Sequence, residues 1–207
     1  VRRLIPLFVA LLVAGTLAFV PAAPVPKAKP VLCFPVQVGT EWEYEWAGHQ
    51  GVRNVTEVVT AVEHKGGVTF VTFGQKEKGG TIGCPYVMAV SGEGLHYGVV
   101  SGRSGDVPDY SFFNWELKLP AKDGDVWESD RNLGDSGKKT RYTFQGVEKV
   151  TVPAGEYEAY KVYSEHECKD GTWQKRTAWY AKGVGKVQWE LDNGGRLVMK
   201  SFTPGKE

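Results

Sequence analysis

The chain has 207 residues and carries 25 Lys and Arg against 24 Asp and Glu, a near-neutral balance of +1. That balance excludes a nucleic-acid groove, which needs a basic excess, and three cysteines are too few for a disulfide scaffold. The excess is aromatic instead, with seven Trp, nine Tyr and nine Phe, residues that suit strands and carry large buried area.

Residues 1–22 read as a cleavable signal peptide. Arg2 and Arg3 precede an apolar run from Leu4 to Val20, followed by Pro21-Ala22-Ala23-Pro24, and cleavage after Ala22 places Val20 and Ala22 in the positions where the peptidase accepts small side chains. The run is about 17 residues long, at the bottom of the range that spans a bilayer, and is interrupted by Gly15 and Thr16. Val1 in place of Met is what a GTG start codon gives when translated literally, which fits a bacterial gene. The expectation is export, to the periplasm or beyond the cell, with no membrane span after cleavage. The leader takes two positive charges with it and leaves the remainder at −1. Residues 23–32, with Lys27 and Lys29 among prolines and alanines, read as an extended tether. Residues 33–207 suffice for one all-β domain with a single core.

Thr40 to Trp46 alternates with period two, with Trp42, Tyr44 and Trp46 on one face and Glu41, Glu43 and Glu45 on the other. Val52 to His64 and Val68 to Phe73 flank Lys65-Gly66-Gly67 and form a hairpin. Tyr86, Met88 and Val90 share a strand face, and Leu95, Tyr97 and Val99 continue after the Ser91 to Gly94 turn. Ser101 to Ser111 is loop. Phe113, Trp115, Leu117 and Leu119 then share a face opposed by Asn114, Glu116 and Lys118, until Pro120 stops the strand. Gly124, Asp125 and Trp127 open a short segment, and Asp130 to Lys139 is a second loop.

Arg141 to Val152 is a strand, Pro153-Ala154-Gly155 turns it into Tyr157 to Glu167, and Asp170-Gly171 leads to Thr172 to Ala181. Gly183 and Gly185 precede Val187, Trp189 and Leu191, which alternate with Gln188 and Glu190; Asp192 to Gly195 turns into the last strand, Arg196 to Phe202. No window after the leader has helical periodicity. Strands joined in sequence by short glycine turns predict an antiparallel meander. With no helix to cover its apolar face, such a sheet must curl strongly into a half-barrel or open barrel, or fold on itself as a sandwich; the abundant glycines favour curling.

Four segments together, Phe34-Pro35-Val36 through Gly39-Thr40 to Trp42 and Tyr44, Leu119-Pro120 with Gly124-Asp125 and Trp127, Val152-Pro153-Ala154-Gly155 with Tyr157, and Trp179-Tyr180-Ala181-Lys182-Gly183-Val184-Gly185, resemble a family of uncharacterised exported bacterial β-domains. The resemblance implies a twisted antiparallel sheet, loosely similar to the half-barrel of periplasmic lipoprotein carriers. It brings no activity and no site residues.

Searching for chemistry returns little. His49, His64, His96 and His166 fall in separate elements; His166 and Cys168 share a strand side, but two ligands do not make a metal site. Gly102-Arg103-Ser104-Gly105 has the wrong spacing for a nucleophile elbow, Glu41, Glu43 and Glu45 line one strand face instead of flanking a cleft, and Asp123-Gly124-Asp125 is a turn without the later ligands of a calcium loop. Cys33, Cys84 and Cys168 permit three single bridges, which the sequence does not choose between. No cofactor is expected. The expectation is a non-catalytic exported domain that binds an apolar small molecule or lipid on a concave aromatic face. The alternative is an envelope interaction module with a filled interior that meets other proteins, and a third reading is a hydrolase with a dispersed site. A hollow interior would favour the first.

Overall fold

The structure is a computed structural model and describes residues 32–76, 82–99, 114–129, 139–168 and 170–206. The predicted leader, nearly all of the predicted tether, the predicted loop 101–111 and most of the predicted loop 130–139 lie outside the described residues, as does the side chain of Cys84.

The described chain forms twelve strands and no helix: β1 Glu41–Gly48, β2 Gly51–Lys65, β3 Val68–Lys76, β4 Ile82–Ser91, β5 Gly94–Val99, β6 Asn114–Lys118, β7 Val126–Ser129, β8 Thr140–Val152, β9 Gly155–Glu167, β10 Trp173–Ala181, β11 Gly185–Leu191 and β12 Arg196–Thr203. They make one antiparallel sheet in the order β6-β5-β4-β3-β2-β1-β12-β11-β10-β9-β8-β7. Every sequential pair is a hydrogen-bonded neighbour except β6 and β7, and β1 pairs β12 across the chain's ends. The predicted meander is therefore present, and it curls nearly into a barrel.

The two free edges meet at a seam without a ladder. There the Trp127 indole N–H donates to the Trp115 carbonyl (3.1 Å), and the Trp115 amide donates to Ser129 Oγ (3.1 Å). Leu119-Pro120, just past β6, is cis.

Alternation fills the interior. Trp42 and Tyr44 of β1, Val71 and Phe73 of β3 and Val90 of β4 are buried on the inward face, while Val52 and Val126 point outward and stay exposed. Strand β4 departs from simple alternation, because Val87 and Ala89 are also buried, against Phe70 on the convex side. In a meander, successive turns fall at opposite ends. The β2–β3, β4–β5, β8–β9 and β10–β11 turns lie at one end, which the segment before β1 closes. Phe34 packs there on Trp42 and Phe73, each at 5.2 Å between ring centroids, and the Trp42 indole donates to the Val184 carbonyl at 2.8 Å. Gly185 is required beside this plug: at φ +90° an added Cβ would lie 2.6 Å from the Phe34 ring. The hairpins β1–β2, β9–β10 and β11–β12 mark the opposite end.

Candidate functional site: a half-hollow barrel

One half of the interior is packed but for a pocket of about 60 Å³ beside Thr140, Ser164 and His166, and the other is hollow. On the β7–β9 side, Trp127 stacks on Tyr142 (5.6 Å) and Phe144 and Val162 complete the core. On the β1–β5 and β10–β12 side lies a cavity of about 650 Å³ to which β7, β8 and β9 contribute no side chain. Its apolar wall includes Tyr44, Trp46, Val55, Met88, Tyr97 and Leu197, and Phe34 forms the floor at the plugged end. Arg53, opposite Trp46 in the β1–β2 ladder, lines the cavity near the other end and is exposed, so the cavity reaches solvent there.

A polar strut divides the halves. Glu116 Oε2 accepts from Arg176 Nη2 at 2.7 Å and from the Tyr180 hydroxyl at 3.0 Å, while Oε1 faces the Tyr142 hydroxyl of the packed half at 3.5 Å. The Glu116 and Arg176 side chains are 13% and 27% exposed. Burial is the largest single influence and disfavours the Arg176 charge, but Glu116, Tyr180 and Tyr142 together outweigh it and the guanidinium pKa moves up. Burial, then Glu116, pushes Tyr180 well above the ordinary phenol range. On the far wall Glu57, itself buried, accepts from the Tyr86 hydroxyl at 3.0 Å, and burial with Glu57 raises Tyr86 in the same way. These phenols remain protonated donors at neutral pH.

Two β-bulges place charge inside. In the β5–β6 ladder Leu95 pairs Leu117 but His96 pairs Trp115, so Glu116 is an extra residue and enters the cavity beside the buried Leu117. The expectation that Glu116 faces away from Leu117, and that Trp115 shares the Leu117 face, is corrected: Trp115 pairs with His96 and its ring lies tilted by 42° against the imidazole, 3.4 Å between centroids. Gly94 permits the close approach, since at φ +128° any Cβ would collide with the Leu117 carbonyl oxygen. In the β10–β11 ladder Trp179 pairs Gln188 but Tyr180 pairs Lys186, leaving Val187 extra, and Lys186 lines the cavity instead of continuing the outward row of Gln188 and Glu190. Bulges re-aim side chains in this way because two residues on one strand oppose one on the other.

Among the described residues the histidines and cysteines do not converge on a metal-like cluster. His64 Nδ1 meets Thr69 Oγ1 and His166 Nδ1 meets Thr140 Oγ1, each at 3.0 Å. The Cys168 amide belongs to the turn before β10, bonded to the Thr172 carbonyl. Cys33 and Cys168 are free thiols, and burial raises the Cys33 pKa. Among the described residues, no three His, Cys, Asp or Glu side chains cluster as metal ligands do. Asp123-Gly124-Asp125 is a turn in which Asp125 Oδ2 accepts the Lys122 amide at 2.7 Å.

The concave face is thus more polar than its aromatic content suggests. Glu57 and Arg176 were visible in the sequence as charged residues in the inward rows Val55-x-Glu57-x-Val59 and Arg176-x-Ala178-x-Tyr180. Glu116 and Lys186 had no such signal, because each bulge shifts the face by one residue.

A family model described as DUF3108-like matches residues 131–202. The match takes in two of the four segments on which the resemblance was drawn, the Val152 to Tyr157 turn and the Trp179 to Gly185 strand end, and agrees with a similarity to uncharacterised β-domains. No curated protein matches the chain. Among solved structures, a Bacteroides fragilis protein inferred to be exported and described as having a YmcC-like fold aligns at 16% identity and TM-score 0.53, over 84% of this chain and 99% of that one; the fold is shared. A second, from Parabacteroides distasonis and inferred to be a lipoprotein, aligns at 14% identity and TM-score 0.48, over 85% of this chain and all of that one.

Proposed function

We propose that the chain is an exported, non-catalytic binding domain whose barrel takes up a small molecule with an apolar body. The observation that carries this is the hollow half: a cavity of about 650 Å³ falls within the size range of small-molecule sites, roughly 300–1,000 Å³, and a barrel that served only as a scaffold would gain stability by packing it as it packs the β7–β9 side. Polar groups among aromatic and aliphatic walls are the pattern that orients a ligand. A non-catalytic role is supported by the state of the acids, since Glu57 and Glu116 are engaged by phenols or a guanidinium. Export is supported by the leader pattern and by the structural neighbour of the same fold that is inferred to be exported.

The test is uptake of a neutral apolar dye, N-phenyl-1-naphthylamine, followed by quenching of tryptophan fluorescence, together with native mass spectrometry of protein taken from its exported compartment. One dye per barrel, lost in Val55→Trp, which fills the cavity, is the expected result. No dye uptake and a bare native mass would overturn the reading in favour of an envelope interaction module.

A further inference from the structure

The cavity's charges are not balanced among themselves. Its wall contains three cationic side chains, Arg53, Arg176 and Lys186, and two acids, Glu57 and Glu116. Both acids are occupied: Glu57 by the Tyr86 hydroxyl, Glu116 by Arg176 and Tyr180. Neither Arg53 nor the Lys186 ammonium has a carboxylate partner among the described residues; Lys186 Nζ lies 6.0 Å from the centre of the Tyr44 ring. One more donor has no acceptor among the described residues: the buried indole N–H of Trp189.

These donors share a wall. Arg53 pairs with Trp46 across β1 and β2, Trp46 lies 5.1 Å from Trp189 between ring centroids, and Lys186 stands on β11 three residues before Trp189. Surplus donors and one surplus positive charge on the wall of a cavity call for acceptors from outside, since an unpaired buried donor is costly and a charge-assisted bond in a partly dry site is strong.

Resting on the binding function proposed above, we infer that the ligand is an anionic single-chain amphiphile, its acid group held by Lys186 and Arg53 beside the Trp189 N–H and its apolar chain lying in the hollow half. The bulge at Val187 is what brings Lys186 to this position. Tyr97 and Met88 form the apolar wall across from it.

Three probes of one chain length separate this inference from the reading it rests on: dodecanoate, dodecanol and dodecyltrimethylammonium, each titrated below its aggregation concentration at neutral pH against the full domain. Dodecanoate is expected to bind at least about tenfold more tightly than dodecanol. Lys186→Met with Arg53→Met should remove that advantage and bring the ratio of dodecanoate to dodecanol affinity to within about twofold of one; neither side chain holds an ion pair among the described residues, and a thermal melt verifies that the variant is folded. Equal binding of dodecanoate and dodecanol, or preference for the ammonium, overturns the anionic assignment while cavity binding stands. Failure of all three probes to bind overturns both.

Discussion

Glu116 meets Arg176, Tyr180 and Tyr142 and has one replaceable role, to hold Arg176 and Tyr180 across the barrel. Glu116→Ala leaves a mostly buried guanidinium without its counter-charge and a phenol without its acceptor. The expected cost is about 2–3 kcal/mol in urea unfolding. Adding Arg176→Met should recover part of it, because the uncompensated charge is then gone, and a double variant no more stable than Glu116→Ala would mean that the strut carries no coupling. The interior phenols give a pH dependence of definite sign. Burial first, and a nearby carboxylate second, raises Tyr44, Tyr86 and Tyr180, and burial with Glu165 pushes Tyr163 up to about 12. An acid whose folded pKa is raised contributes stability that is complete below its unfolded value, about 10 for tyrosine, and lost as pH climbs through the folded value. The urea midpoint should therefore be insensitive to these groups between about pH 7 and 9 and fall steeply above about pH 10; a midpoint level through pH 11 would contradict it.

Strands were legible where one face met the core and the other met water, as in β1, whose Trp42-x-Tyr44-x-Trp46 row lies inward as expected. They were illegible where a bulge broke the register, since one extra residue flips everything beyond it and leaves no mark in composition. For that reason the outlines of β6 and β11 could be read and their cavity-facing charges could not. The seam is the weakest junction between elements, because β6 and β7 exchange side-chain bonds where other neighbours exchange ladders. Ser129→Ala frees the Trp115 amide and should speed its hydrogen exchange by about tenfold while costing global stability only about 1 kcal/mol. Unchanged exchange at Trp115 would show that the seam is held by Trp127 alone.

As a whole, the molecule was readable in class and strand sequence, because glycine turns and period-two rows are local. Which half of the interior is filled depends on side chains from strands far apart in sequence, Glu116 of β6 and Arg176 of β10 above all, and no local pattern reports such a meeting. The pairing of β1 with β12 has a further consequence. The Gly205 amide donates to Thr40 Oγ1 at 3.0 Å, so the start of β1 and the end of β12 lie side by side, while the covalent connection between the sheet's two free edges runs through residues 119–125. A circular permutant that links residue 206 to residue 32 and opens between Lys122 and Asp123 would begin at β7 and end at β6, following the sheet from one edge to the other in unbroken order. It should fold to the same barrel, with unchanged far-ultraviolet circular dichroism and faster exchange confined to β6 and β7; loss of the folded state would show that the 119–125 link, and not the ladder from β1 to β12, brings the edges together.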